Sequence, residues 1–99
     1  MKAQSVFREK RILENPKTGK VAIVELKIWK VPKSKAYPEG RKFSLFLVSE
    51  GKVLFGMNNH KPKGPHLHFG EQERPYGYQG DEQLLEDFWE LARKAGYQP

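Results

Sequence analysis

Apolar and polar residues alternate along much of residues 4–69, and this period of two predicts β-strands. The strongest prediction covers residues 21–31, which are rich in β-branched side chains and apolar throughout one parity. Residues 42–48 are apolar on both parities, which is typical of a central strand. The remaining predicted strands are shorter or more polar, the first of them exposed or at an edge; they cover residues 4–13, 52–57 and 66–69.

One amphipathic helix is predicted over residues 81–95, where apolar residues recur at spacings of three and four. Asp81 and Glu82 suit its positive end, and Gly96 follows as a terminating residue. Because so short a helix is marginal in water, its apolar stripe must pack on the sheet. We therefore predict a single α+β domain over residues 1–99, an antiparallel meander of four or five strands covered on one face by the helix.

Composition narrows the class of protein. The 99 residues are 30% charged and 37% hydrophobic, which fits one soluble folded domain. No apolar run approaches the roughly 18 residues of a membrane span, and the charged N-terminal segment does not resemble a secretory signal. The absence of cysteine excludes disulfides, thiol catalysis and cysteine-ligated zinc. We expect a cytoplasmic protein without a membrane partner.

The distribution of charge indicates a polyanionic partner. Residues 1–69 contain 15 basic and 5 acidic side chains, whereas residues 70–99 contain 3 basic and 7 acidic ones. A basic body favours nucleic acid through phosphate contacts, and the histidine chemistry described next favours RNA over DNA. The alternative is a lysine-rich surface that serves only solubility.

The three histidines, His60, His66 and His68, fall within nine positions. Alternation places His66 and His68 on the same strand face, about 6–7 Å apart, with Leu67 and Phe69 directed to the core. A loop rich in proline and glycine can fold His60 back toward them. The alternative is that this His-x-His pair lies on an exposed strand without a role.

Two neighbouring imidazoles suit acid–base cleavage of RNA without a metal or other cofactor. The reaction needs a base for the 2′-hydroxyl, an acid for the leaving 5′-oxygen, and a cation for the charge on phosphorus. We predict His66 and His68 as the catalytic pair, with His60 assisting. Lys61 and Lys63, in the same loop, are predicted to contact the phosphate.

Further aromatic and amide residues are candidates for nucleic-acid contacts. Tyr76 and Tyr78 can stack on a base or bind a phosphate, or else pack against the sheet. Asn59 is a third candidate, although an Asn pair is also typical of turns and caps. Trp29 and Trp89 are interpreted as core aromatics.

Two other interpretations stay open. A divalent metal can be held by His60, His66 and His68 with a carboxylate such as Glu71 or Glu73, since three histidines and an open position suit catalytic zinc. The protein can also be a non-catalytic module that binds nucleic acid or regulates it. The exposed first strand additionally makes a homodimer a possible assembly.

Residues 20–95 resemble a known protein family. The resemblance lies in VELKIWKVPKS, GRKFSLFLV and GMNNHKPKGPHLHFGEQERPYGYQGDEQLLEDFWELA, most specifically in residues 63–68, residues 73–76 and the helix pattern of residues 84–88. These runs look like the TumE-type toxins. Asn59, His66 and His68 match the family pattern. Asn58 stands where members tend to carry an acid, and Pro65 stands where they often carry one.

The resemblance implies a toxin of a bacterial or archaeal toxin–antitoxin module. Such toxins are usually encoded beside a helix-turn-helix antitoxin, which is therefore an expected protein partner. Together with the histidines and the basic body, the resemblance favours a toxin that acts on RNA.

Overall fold

The computed structural model describes residues 3–60 and 64–98, which form six β-strands and one α-helix. In chain order these elements are β1 (Gln4–Glu14), β2 (Val21–Lys30), β3 (Arg41–Ser49), β4 (Lys52–Asn58), β5 (His66–Phe69), β6 (Gln72–Pro75) and α1 (Asp81–Lys94). The strands form one sheet in which every neighbouring pair is antiparallel, and their spatial order equals their chain order. The predicted α+β class and the meander are confirmed.

The number of strands is six, so the prediction of four or five was wrong. The additional strand is β6, which the sequence predicts as a loop because its residues Gln-Glu-Arg-Pro are all exposed and lack apolar alternation. Gly70, with a φ of 56°, closes a tight turn between β5 and β6. Pro75 is tolerated because β6 is an edge strand.

Strands β2 and β3 provide the centre of the hydrophobic core. Their inward residues are at most 1% exposed and are Ala22, Val24, Leu26 and Ile28 on β2 and Phe43, Leu45 and Leu47 on β3. β3 lies between β2 and β4, so its predicted central position is confirmed. The apolar parity of β2 thus forms a continuous core face, as its sequence predicts.

Helix α1 covers one face of the sheet and lies within one residue of its predicted end. Leu84, Phe88 and Ala92 are at most 1% exposed, and the ring of Phe88 lies 5.0 Å from the ring of Phe55 on β4. Acidic residues in its first turn and basic residues in its last turn suit the helix dipole. Among residues 3–60 and 64–98, no helix has the length and apolar character needed to cross a membrane.

Polar contacts fasten the N-terminal half of α1 to the segment after β6. Tyr76 donates a hydrogen bond to Asp87, and Tyr78 donates one to Asp81, both at 2.5 Å. The guanidinium of Arg41 binds the other oxygen of Asp81 at 3.0 Å. Burial, followed by the bonds to the carboxylates, raises the pKa of both tyrosines above its ordinary value.

The sheet face opposite α1 consists of the residues whose parity is opposite to the core, and we call it the open face. It comprises Arg8, Lys10 and Ile12 on β1, Ile23, Glu25, Lys27 and Trp29 on β2, Lys42, Ser44, Phe46 and Val48 on β3, Val53, Gly56 and Asn58 on β4, His66 and His68 on β5, and Glu73 and Pro75 on β6. Basic and polar residues occupy one end of this face, and aliphatic residues occupy the other.

A glycine in β4 makes room for an aromatic ring on the open face. A Cβ atom at Gly56 would stand 2.2 Å from Cδ1 and 2.5 Å from Cε1 of Phe46, so the ring occupies the space that a side chain would need. Gly56 pairs with Phe46 on β3 and with His68 on β5. The Phe46 ring is therefore placed between its own strand and His68.

We expect Gly56→Ala to lower the free energy of unfolding by about 1–3 kcal/mol, because the added methyl group displaces the Phe46 ring. Gly77→Ala is the matched control, since a Cβ there meets no atom within 4 Å. The double variant Phe46→Ala/Gly56→Ala should cost less than the sum of its single changes. Urea unfolding measures all four values, and a Gly56→Ala variant as stable as Gly77→Ala would contradict the prediction.

We expect alkaline pH to destabilise the protein partly through Tyr76 and Tyr78. Their pKa is raised in the folded state, so above about pH 10 the unfolded chain loses these protons first and the free energy of unfolding falls as pH rises. The variant Tyr76→Phe/Tyr78→Phe should be less stable near neutrality and show a shallower alkaline decline. Urea unfolding across the alkaline range tests this, and equal slopes for both proteins would refute it.

Candidate functional site

Strand β5 directs two histidines onto the open face. The centroids of the His66 and His68 rings lie 4.6 Å apart, and the ring planes meet at 75° in an edge-to-face arrangement. Leu67, between them, packs against the core on the other face, as the alternation predicts. His66 is only 7% exposed, whereas His68 is half-buried. The pair therefore combines one enclosed ring with one more accessible ring.

His66 is held by contacts at both of its ring nitrogens. Its Nδ1 lies 2.8 Å from the carbonyl oxygen of Gly64, and its Nε2 lies 3.5 Å from Oε1 of Glu73. Because a carbonyl oxygen only accepts hydrogen bonds, Nδ1 is the nitrogen that carries the proton in the neutral ring. Nε2 is then available to exchange a proton or to bind a metal.

Gly64 contributes to this arrangement through its backbone. Its φ is 73°, which lies in the left-handed region that favours glycine. Gly64 lies two residues before the first residue of β5, and its conformation sets the carbonyl oxygen that binds His66. A residue with a side chain would be strained there, even though a Cβ atom would meet no neighbour within 4 Å.

Glu73 reaches the histidines from the neighbouring strand β6, where it pairs with His68. Its side chain is 38% exposed. The ligand atoms of Glu73, His66 and His68 all lie within 4.8 Å of one another. Because β6 is not predicted as a strand, the sequence offers Glu73 only as one of two alternative carboxylate ligands for a metal.

A cavity of about 210 Å³ opens beside His66 at the β5–β6 edge of the sheet. Its other lining residues include Glu73 and Arg74, and Arg74 is exposed. His66 and Glu73 border this opening from the open face, whereas Arg74 pairs with Leu67 and has the opposite parity at the edge strand. An exposed guanidinium at this edge is a group that binds anions such as phosphate.

The chemistry of the three side chains suits a metal centre as well as an acid–base centre. Two histidines and one carboxylate are a common ligand set for divalent transition metals. The bond from Nδ1 of His66 to a backbone carbonyl is the kind of second contact that orients metal-binding histidines. The donor set thus fits a metal ion that is bound by His66, His68 and Glu73.

The third histidine lies outside this group. His60 is exposed, and its backbone N–H binds Oδ1 of Asn58 at 3.2 Å. Among the described residues, the metal-ligand group contains His66, His68 and Glu73 but not His60. Lys61 and Lys63 lie outside the described residues, so their predicted phosphate contacts stay predictions, as does the catalytic role of His60.

Asn59 is placed inside the fold, where its amide extends the pairing of β4 with β3. Its Oδ1 accepts a hydrogen bond from the backbone N–H of Phe43 at 2.9 Å, and its Nδ2 donates one to the carbonyl of Arg41 at 2.7 Å. The residue is 4% exposed. Its amide therefore serves the sheet backbone, and its contact with nucleic acid stays a prediction.

Tyr76 and Tyr78 lie with the core and the helix, away from the open face. Both pack against the core cluster, and the Tyr78 ring stacks on Phe43 at 5.6 Å between centroids. Their hydroxyl groups are bound by Asp87 and Asp81. The structure thus corresponds to the packing alternative that the sequence left open, and their contact with nucleic acid stays a prediction.

Two side chains near the histidines were not singled out from the sequence. The sequence contains an indirect signal for the position of Phe46, because a glycine inside an apolar strand such as β4 indicates a close approach of another group. Arg74 has none, because it lies on an exposed edge strand without an apolar pattern. The tryptophans also differ from expectation in part: Trp89 packs against the core, whereas Trp29 lies on the open face.

Comparisons with known proteins identify the family. The family model described as Toxin TumE matches residues 2–95, which is nearly the whole chain. This match confirms the resemblance that residues 20–95 show. No curated protein and no solved structure matches the chain significantly.

We expect Asn59→Ala to lower the free energy of unfolding by about 1–3 kcal/mol, because it leaves the buried N–H of Phe43 and the carbonyl of Arg41 without their partner. Gln79→Ala, which truncates an exposed amide, is the control and should change stability by less than about 0.5 kcal/mol. Urea unfolding measures both. An Asn59→Ala variant that keeps full stability but loses affinity for RNA would instead support the sequence prediction.

Proposed function

The chain belongs to the TumE toxin family, the toxins of toxin–antitoxin modules, and on this basis we propose that it is a toxin that cleaves RNA. Membership implies an antitoxin partner in general. The helix-turn-helix type of that antitoxin and a homodimeric state stay predictions. The observation that carries the proposal is the contact between His66 and His68 on the open face, beside the carboxylate of Glu73.

The chemistry is an internal transfer at phosphorus. One imidazole removes the proton of the 2′-hydroxyl, and the 2′-oxygen attacks the adjacent phosphorus. The bond from phosphorus to the 5′-oxygen breaks, and the second imidazole, in its protonated form, gives that oxygen its proton. The products are a 2′,3′-cyclic phosphate and a 5′-hydroxyl, and the two imidazoles have exchanged protonation states. DNA lacks the nucleophile for this reaction.

The neighbouring charged groups support these steps. Glu73 positions His66 and forms an ion pair with it whenever the ring is protonated. We assign the positive charge that the developing charge on phosphorus requires to Arg74, whose exposed side chain borders the same cavity from the edge strand. His68 is the more accessible ring and is the one that an approaching strand meets first.

A metal-dependent nuclease is the second candidate, favoured by the convergence of three ligand atoms within 4.8 Å. His66, His68 and Glu73 would hold the ion, which would supply a hydroxide nucleophile and stabilise charge on phosphorus. Because water is then the nucleophile, the 2′-hydroxyl is not required and DNA can also be a substrate. This difference separates the two candidates experimentally.

We expect the purified protein to cleave a ribo-oligonucleotide in the presence of a chelator and to leave the deoxy oligonucleotide of the same sequence intact. His66→Ala and His68→Ala should each reduce the rate by about 10²–10⁴-fold. Glu73→Gln should cause a smaller loss and change the pH–rate profile, whereas its matched control Glu82→Gln, on the outer side of α1, should do neither. Mass spectrometry of the product ends and thermal unfolding of each variant complete the test.

Three results would overturn the proposal. The first is RNA that stays intact with the wild-type protein. The second is cleavage that survives the double change His66→Ala/His68→Ala. The third is cleavage that a chelator abolishes and a divalent ion restores, which would establish the metal-dependent candidate instead. Salt-sensitive binding without cleavage would identify a non-catalytic module.

A further inference from the structure

We infer that the open face binds the substrate as single-stranded RNA, which crosses the strands from the histidines toward Trp29 and Arg8. This inference rests on the proposed cleavage of RNA and extends it to the substrate's path. It names residues on β1, β2 and β3, which are remote in sequence from the histidine segment. The residues that carry it are Arg8, Lys27, Trp29, Lys42 and Phe46.

Strand pairing aligns positive charge with His66. In one row across the sheet, Arg8 pairs with Lys27, Lys27 with Ser44, Ser44 with Asn58 and Asn58 with His66. With a strand spacing of about 4.8 Å, Lys27 lies about 14 Å and Arg8 about 19 Å from His66. Two cations thus follow the histidine at distances that several nucleotides of one strand can span. The two side chains between these cations and the histidine, Ser44 and Asn58, are polar and small, and Asn58 is buried.

Trp29 and Lys42 provide a ring for base stacking and a neighbouring positive charge, the combination that binds single-stranded nucleic acids. They face each other in the register of β2 and β3, and the Lys42 ammonium lies 5.7 Å from the centroid of the Trp29 ring. Both side chains are partly exposed. An indole ring stacks on any base, and an ammonium beside it neutralises the adjoining phosphate.

Phe46 provides a second ring nearer the histidines. Its ring covers Gly56, which pairs with His68. A base that stacks on Phe46 therefore lies beside the acid–base pair, where its nucleotide can present the 2′-hydroxyl. Aromatic rings on a sheet bind unstacked bases, so the open face suits a single strand better than a duplex.

Charge also separates the two faces of the protein. The outward side of α1 carries Glu82, Glu86 and Glu90, which repel a polyanion. On the open face, Glu25 is paired with Lys27, their charged groups being 3.5 Å apart. Complementarity of charge therefore directs RNA to the open face. The aliphatic end of that face lies on the far side of Phe46 from Lys27.

The test uses a fluorescein-labelled 2′-O-methyl oligonucleotide of about 12 residues, which lacks the free 2′-hydroxyl and stays intact during the measurement. Trp29→Ala should weaken binding by about 5- to 100-fold. Lys27→Gln and Lys42→Gln should each reduce the slope of log affinity against log salt by about 0.7. The matched control Lys94→Gln, in the last turn of α1, should leave affinity and slope unchanged. A duplex of the same sequence should bind more weakly.

Tryptophan fluorescence gives a second measurement, since the chain contains two tryptophans. The oligonucleotide should quench the wild-type emission, and Trp29→Phe should remove that quenching while keeping the fold. Equal quenching in Trp29→Phe would overturn the inference.

The result can be separated from that of the proposed function. If the wild-type protein cleaves RNA but the Trp29, Lys27 and Lys42 variants bind and cleave as it does, the inference fails and the proposed function stands. If the open face binds the oligonucleotide but RNA stays intact, the proposed function fails and the inference stands. A third outcome is that the wild-type protein does not bind the oligonucleotide but forms a dimer, and that Trp29→Ala dissociates this dimer. This outcome would assign the open face to a second copy of the chain and overturn the inference.

Discussion

Strand register is the constraint on which both the core and the histidine site depend. A shift of one residue between β4 and β5 would turn His66 and His68 toward α1 and bring Leu67 to the open face. Two features oppose such a shift: Leu67 packs against the core, and the amide of Asn59 binds the backbone of β3 just beyond the end of β4. The same alternation that builds the core therefore also sets the direction of the two histidine rings.

The local sequence pattern predicts those elements in which the residues that face the core recur at a regular spacing. The apolar parity of β2, the stripe of α1 and the common face of His66 and His68 all follow from spacings of two or of three and four. The exposed strand β6 does not follow from such a spacing, because its four residues pair with β5 through backbone groups that any sequence offers. As a result the sequence offers Glu73 only as one of two carboxylates that could join the histidines, and it gives no signal for Arg74 at the neighbouring cavity.

Contacts between distant residues account for the other differences. The amide of Asn59 binds backbone groups 16 and 18 positions away, and the hydroxyl of Tyr76 binds a carboxylate 11 positions away. Residue type alone permits these groups to bind nucleic acid equally well. The tryptophans show the same ambiguity: Trp89 lies under the guanidinium of Arg11, 5.3 Å from ring to charge, whereas Trp29 is on the other face. Trp29 has the parity of Glu25 and Lys27 on β2, whereas Trp89 is placed by the packing of α1 on the sheet.

The edge position of β6 makes the integrity of the site and the stability of the core separate quantities. β6 has a single neighbouring strand, over four residue pairs, whereas β2 and β3 are each paired on both sides. Such an edge hairpin opens at a lower cost in free energy than the centre of a sheet. Each opening of β6 withdraws the carboxylate of Glu73 from the imidazoles while the core persists. Hydrogen exchange at the β5–β6 hairpin therefore reports how often a folded molecule lacks this grouping of side chains.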